Sequence, residues 1–171
     1  MIIKNLANIL TISRSVGTAA LIFVPVLSKE FFVIYILSGI TDVLDGFVAR
    51  VTHTTSKLGA KLDSASDLFF YTVMLHKILP FLKKYLPKLI WIGIYLTLII
   101  RAIIYAYVGF RKKKLISNHT ILNKLTGLFA FMLPFVVPTK YFVGYSGLVC
   151  AIALIAAIYE FGLVFIKKQE V

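Results

Sequence analysis

Six apolar segments follow one another along the chain, at roughly residues 6–27, 31–51, 58–80, 88–110, 120–138 and 141–166. Crossing a bilayer core takes about 20 apolar helical residues. Only helices and closed barrels satisfy their backbone hydrogen bonds there. The segments are joined by LSKE, THTTSK, FLKKYLP, RKKKLISNH and PTK, which leave no room for a second soluble domain. The expectation is an all-α polytopic membrane protein with six transmembrane helices, one domain over residues 1–171. Residues 2–10, polar at Lys4, Asn5 and Asn8, suit a short N-terminal interfacial helix. The apolar start is interrupted by Arg14 and shows no small-residue cleavage site at 26–29, so it does not read as a cleaved signal.

Composition agrees with a membrane location. The chain is 60% hydrophobic, above the range of soluble domains. Its net charge of +12 suggests nucleic acid, but the basic residues lie between the apolar segments rather than in one stripe. No nucleic-acid partner is therefore expected. If the termini and the second and fourth connections share one side, that side carries twelve Lys and Arg and the other five. The positive-inside rule then puts both termini in the cytoplasm of a multi-pass cell-membrane protein. The single cysteine, Cys150, lies in an apolar run and reads as a small buried hydrophobe. His53, His76 and His119 lack ligand spacing, which argues against zinc.

Against this background the four aspartates stand out. Asp42, Asp45, Asp63 and Asp67 are the chain's full complement, and all fall within 26 residues. Asp42 and Asp45 are i, i+3, and Asp63 and Asp67 are i, i+4, so each pair shares a helix face. Carboxylates in apolar helices mark a functional site. Four together repel unless something positive sits between them, and divalent metal ions are the simplest such object. The charge map puts both pairs at similar depth, facing each other near the cytoplasmic side. A site there, below the headgroup level, is able to meet a lipid phosphate, whose charge such metals would neutralise.

The segment reads D-x2-D-G-x2-A-R-x8-G-x3-D-x3-D from Asp42 to Asp67, with Gly46, Ala49, Arg50 and Gly59 between the aspartates. These eight positions resemble the signature of the CDP-alcohol phosphatidyltransferases. The motif covers about a seventh of the chain, and the six-segment hydropathy extends the likeness over the rest. The resemblance implies a metal-dependent transferase of phospholipid synthesis: an alcohol attacks the lipid-side phosphorus of a CDP-diacylglycerol-type donor and CMP leaves. It implies two divalent cations, Mg2+ or Mn2+, held by Asp42, Asp45, Asp63 and Asp67, with Asp67 also the catalytic base. Gly46, Ala49, Arg50 and Gly59 are the implied CDP-lipid contacts. Asn8, Thr11 and Arg14 resemble the family's Asn-x-x-Thr-x-x-Arg opening near the nucleotide. A homodimer is expected on the same ground.

Arg101, deep in the fourth segment, needs an anionic partner or a wet cavity. With Lys124 it is a candidate site for an acceptor phosphate, favouring a phosphorylated polyol such as glycerol 3-phosphate or inositol phosphate over serine. An intramembrane ion pair is the simpler role for Arg101. The stretch around Lys124 is similar to the Gly-Lys-x-Lys-Thr region of phosphatidylglycerophosphate synthases but carries Asn123 and Leu125 where that pattern has small or basic residues. The competing class is a non-enzymatic divalent-cation carrier built on the same carboxylates.

Overall fold

A computed structural model describes residues 2–51, 57–112 and 121–165, with side chains described outside 2–8, 49–50, 57–58, 60 and 110–112. Among the described residues there are six helices: α1 (Ile2–Phe23), α2 (Lys29–Val51), α3 (Lys57–Tyr85), α4 (Lys88–Lys112), α5 (Ile121–Val136) and α6 (Phe142–Phe165). Each corresponds to one apolar segment. Residues 2–10 form no separate interfacial helix; they are the first turns of α1. No Pro or Gly interrupts the chain before Gly17, so nothing stops that helix from propagating.

Among the described residues three helices are long and apolar enough to cross a membrane, at Lys29–Val48, Lys88–Gly109 and Phe142–Phe165. The apolar stretches Ile9–Phe23 and Ile121–Val136 are shorter. Helix α3 has ample length, but Lys61, Asp63, Asp67, Lys77, Lys83 and Lys84 interrupt its apolar surface. The six-span expectation thus meets six helices, three of which satisfy the length and composition of a span. Helix α3 also runs five residues past its expected end, through Pro80, which removes the bond to the carbonyl of residue 76 without ending the helix.

The chain divides into two compact units, Met1–Pro80 and Phe81–Val171. In the first, α1 packs along α2 after a tight turn. Ser28 N–H donates to the Pro25 carbonyl at 3.3 Å, and Leu27 takes φ 68°, the left-handed conformation a type II turn requires at that position. Ser28 then caps α2, its Oγ accepting the Phe31 N–H at 3.1 Å. Close approach of the two helices depends on Gly17, where an added Cβ would stand 3.2 Å from Ser38 Oγ. Helix α2 meets α3 through stacked rings, Phe31 on Tyr35 and Tyr35 on Phe70, with centroids 5.8 and 5.5 Å apart.

Helix α3 meets α1 through small polar groups. Ser66 Oγ donates to the Thr11 carbonyl at 3.1 Å and also pairs with Ser15 Oγ. At the far end, Lys77 Nζ donates to the Ile22 and Val24 carbonyls at 2.8 and 2.9 Å. This ammonium satisfies acceptors left open at the C-terminus of α1, where the helix dipole also favours a cation.

In the second unit α6 packs against both α4 and α5. Ile104, Val108 and Val164 form its core, flanked by Ile100, Tyr107 and Phe165. Cys150 is half-buried, and its thiol points toward the Ile90 carbonyl at 3.7 Å. A Cβ on Gly93 would lie 2.7 Å from that sulfur, so α4 and α6 touch where Gly93 has no side chain.

Candidate metal and phosphate-transfer site

All four aspartates converge in the first unit, on the facing ends of α2 and α3. Asp42 and Asp45 lie on the last turns of α2, and Asp63 and Asp67 on the early turns of α3. Carboxylate oxygens of Asp42, Asp63 and Asp67 lie within 4.8 Å of one another. Those three side chains are 41–47% exposed, whereas Asp45 is 5% exposed. The cluster therefore has an open side of three carboxylates and one buried member. The buried member is satisfied by α1: Thr11 Oγ1 donates to Asp45 Oδ2 at 2.9 Å.

A fifth residue, absent from the expected ligand set, occupies the centre. Arg14 is 2% exposed and touches every aspartate. Its Nη1 pairs with Asp42 Oδ1 and lies 2.9 Å from Asp67 Oδ1. Its Nη2 lies 2.7 Å from Asp63 Oδ1 and 3.7 Å from Asp45 Oδ2. Each terminal nitrogen thus bridges one carboxylate of α2 and one of α3. The sequence pattern put Arg14 one turn after Thr11, on the same face of α1. It did not reveal that this face meets the aspartates.

The donor set fits hard divalent cations. Among the described residues it is all carboxylate oxygen, which suits Mg2+ or Mn2+ better than zinc. One guanidinium offsets the charge of one carboxylate among four, so ionised aspartates leave the cluster strongly negative. Asp42, Asp63 and Asp67 are the accessible carboxylates that could hold an ion, and Asp45 lies behind them.

The other expected contacts are distributed unevenly. Gly46 follows Asp45 on α2, and Gly59 stands one turn before Asp63 on α3; both are half-buried. Asn8 lies on the backbone of α1 one turn before Thr11, but its side chain, like those of Ala49 and Arg50, is outside the described residues.

Arg101 and Lys124 belong to the second unit. Arg101 Nη2 donates to Asn123 Oδ1 at 2.8 Å, which brings it beside the stretch of α5 carrying Lys124. Asn123 Nδ2 in turn reaches Glu160 Oε2 at 3.4 Å. Glu160 is 2% exposed, a buried carboxylate on the most apolar helix of the chain. Sequence reading passed over it, although its place in an apolar run was the available signal. Lys124 itself is exposed.

Comparison with known proteins agrees with this geometry. The family described as CDP-alcohol phosphatidyltransferase matches residues 4–160. A CDP-diacylglycerol–serine O-phosphatidyltransferase of Methanocaldococcus jannaschii is 44% identical over 71 residues, which are 40% of this chain and 35% of that protein. The match thus spans about a third of the relative's length. No solved structure matches. With the family match running from the first turn of α1 to Glu160, and with the aspartates of its signature converging from α2 and α3, the chain belongs to the CDP-alcohol phosphatidyltransferase family.

Proposed function

We propose that this protein transfers a phosphatidyl group from a CDP-diacylglycerol-type lipid to a small alcohol, releasing CMP, with both termini and the site on the cytoplasmic side of the cell membrane. The observation carrying the proposal is the convergence of Asp42, Asp63 and Asp67 oxygens within 4.8 Å in a member of this family. The family match over residues 4–160 supports reading both units as one catalytic domain; a homodimer is proposed on the family resemblance alone.

Asp42, Asp45, Asp63 and Asp67 would hold two divalent cations, Mg2+ or Mn2+. When bound, these supply charge that polarises the donor's phosphoryl oxygens. Asp67, part of the open side, accepts the proton of the acceptor hydroxyl. The acceptor oxygen forms a new bond to the lipid-side phosphorus, and the bridging oxygen leaves with CMP. Asp45 stays oriented by Thr11. Gly46 and Gly59 leave helix backbone open to the cytidine diphosphate, while Ala49, Arg50, Asn8 and Thr11 complete the donor contacts.

For the acceptor, Arg101 and Lys124 favour a phosphorylated polyol such as glycerol 3-phosphate or inositol phosphate, because a phosphate recruits two cations from one stretch of the fold. A second reading rests on a specific observation. Arg101, Asn123 and Glu160 form a row with a cation at one end and a carboxylate at the other, which suits a zwitterion, and the archaeal relative is a serine transferase.

The test is CMP release by purified protein given CDP-diacylglycerol and, in turn, glycerol 3-phosphate, inositol phosphate and serine, with Mg2+, Mn2+ or chelator. Release that needs both metal and one acceptor supports the reading. Metal flux into proteoliposomes with no CMP release under any condition would replace it with a cation carrier.

A further inference from the structure

The guanidinium at the centre of the carboxylates stands where a cation would bind them. Nη1 of Arg14 contacts Asp42 Oδ1 and Asp67 Oδ1, two of the three oxygens on the open side, and Nη2 contacts the third, Asp63 Oδ1. A divalent ion held by the same oxygens would compete with Nη1 for the space between Asp42 Oδ1 and Asp67 Oδ1. Two like charges on one set of oxygens also repel.

The Arg14 guanidinium is not fully satisfied. Its Nε is buried without a hydrogen-bond partner among the described residues, an arrangement that costs free energy relative to a fully satisfied guanidinium. Its pairs with Asp42, Asp63 and Asp67 lie on the half-exposed side of the cluster, the side from which an ion arrives. Asp45, by contrast, is 3.7 Å from Nη2 and keeps its own bond to Thr11. The outer pairs can therefore break while Asp45 remains oriented.

We propose that Arg14 is a resident counter-cation of the site, neutralising the carboxylates while no metal is bound, and that divalent ions bind by displacing its Nη groups from Asp42, Asp63 and Asp67. The proposal rests on the metal-binding reading of the cluster. Guanidinium and metal are then competing ligands of the same oxygens, and their coupling is reciprocal. Arg14 joins α1 to α2 and α3 when no metal is bound, and the cost of breaking its outer pairs weakens metal affinity. The displaced guanidinium, still on α1 beside the cluster, becomes free to meet an anionic group of the donor.

The experiment is Mn2+ binding to the full-length protein in nanodiscs, followed by the loss of free-Mn2+ electron paramagnetic resonance signal, for wild type, Arg14→Gln and Arg14→Lys. Coupling free energies of this kind correspond to about 5–150-fold in affinity. Arg14→Gln is expected to bind Mn2+ about tenfold or more tightly than wild type, with a lower melting temperature without metal and a recovery on adding Mn2+. Arg14→Lys keeps a charge but cannot bridge both pairs at once, so its affinity is expected between the two. If both variants bind Mn2+ no more tightly than wild type, Arg14 positions the carboxylates and the proposal is overturned. Should Arg14→Gln fail to fold, Arg14→Lys and a Mn2+-bound wild-type structure decide: Arg14 still paired with Asp42 and Asp67 around a bound ion overturns it. Failure of all three proteins to bind Mn2+ removes the metal site and this proposal together. Mn2+ binding without CMP release would instead remove the transferase reading alone.

Discussion

Thr11 on α1 donates a 2.9 Å hydrogen bond to Oδ2 of Asp45 on α2, and both residues are buried. A buried carboxylate that loses its donor pays the desolvation of an unpaired acceptor, about 1–3 kcal/mol and more when charged. Thr11→Val keeps the shape and removes the hydroxyl. It is expected to destabilise the protein by about that amount, read as a lower unfolding midpoint in detergent. Thr11→Ser should restore most of the loss. A Thr11→Val protein as stable as wild type would mean that Arg14 alone satisfies Asp45.

Lys77 offers a test that leaves the site untouched. Its ammonium donates to the Ile22 and Val24 carbonyls at the end of α1. Charge-assisted bonds at a helix C-terminus contribute about 1–2 kcal/mol in partly buried geometry. Lys77→Met retains the aliphatic stem and removes the donors. The expected result is a lower unfolding midpoint with unchanged CMP release per folded molecule. Loss of activity without loss of stability would show that the cap also sets the register of α3 and its aspartates.

Helix positions were legible in the sequence because apolar length and charged flanks are local properties. The segment at 88–110 became α4 and that at 141–166 became α6, within two residues at the described ends. Beyond the facing aspartate pairs, tertiary partners were not legible. The i, i+3 spacing put Thr11 and Arg14 on one face, but which neighbour that face meets depends on how α1 is rotated against α2 and α3. Repulsion among the four aspartates correctly demanded a positive charge, and electrostatics alone does not distinguish a metal from an arginine supplied by a third helix. Glu160 escaped for a related reason. A single carboxylate has no spacing pattern, and its partners Asn123 and Arg101 lie 37 and 59 residues away along the chain.

Gly93 and Cys150 form a contact suited to a double-mutant cycle. A Cβ at residue 93 would come 2.7 Å from the sulfur, so Gly93→Ala forces the thiol or the α4–α6 spacing to shift. Overpacking of this kind costs roughly 1–3 kcal/mol. Cys150→Ala alone should cost less. The double variant is expected to be more stable than Gly93→Ala, giving a favourable interaction energy in the cycle. Additive losses would indicate that Cys150 rotates away freely.

The row Arg101–Asn123–Glu160 separates the two acceptor readings. With a phosphorylated polyol, Arg101→Gln should raise the acceptor KM by tenfold or more, on the order of one lost charge-assisted bond. Glu160→Gln should then leave that KM nearly unchanged. With serine, both substitutions should raise KM, since each removes the partner of one charge on the zwitterion. The comparison needs each variant's unfolding midpoint alongside, because Glu160 is 2% exposed and its neighbours depend on it.

Asp67 carries the sharpest test of the chemistry. It shares the open side of the cluster with Asp42 and Asp63, yet it is the member assigned to the acceptor's proton. Asn is nearly isosteric with Asp and still offers one oxygen, but it cannot take up a proton near neutral pH. Positioned general bases contribute typically 10²–10⁴-fold, so Asp67→Asn should lower kcat by at least about a hundredfold. Binding of the CDP-lipid, measured by competition with a labelled analogue, should persist because the remaining three aspartates stay. Asp42→Asn should weaken metal binding and lower turnover at limiting metal, with recovery as metal is raised. If Asp67→Asn is instead rescued by added metal in the same way, Asp67 is a ligand alone, and the proton acceptor must be sought elsewhere in the cluster.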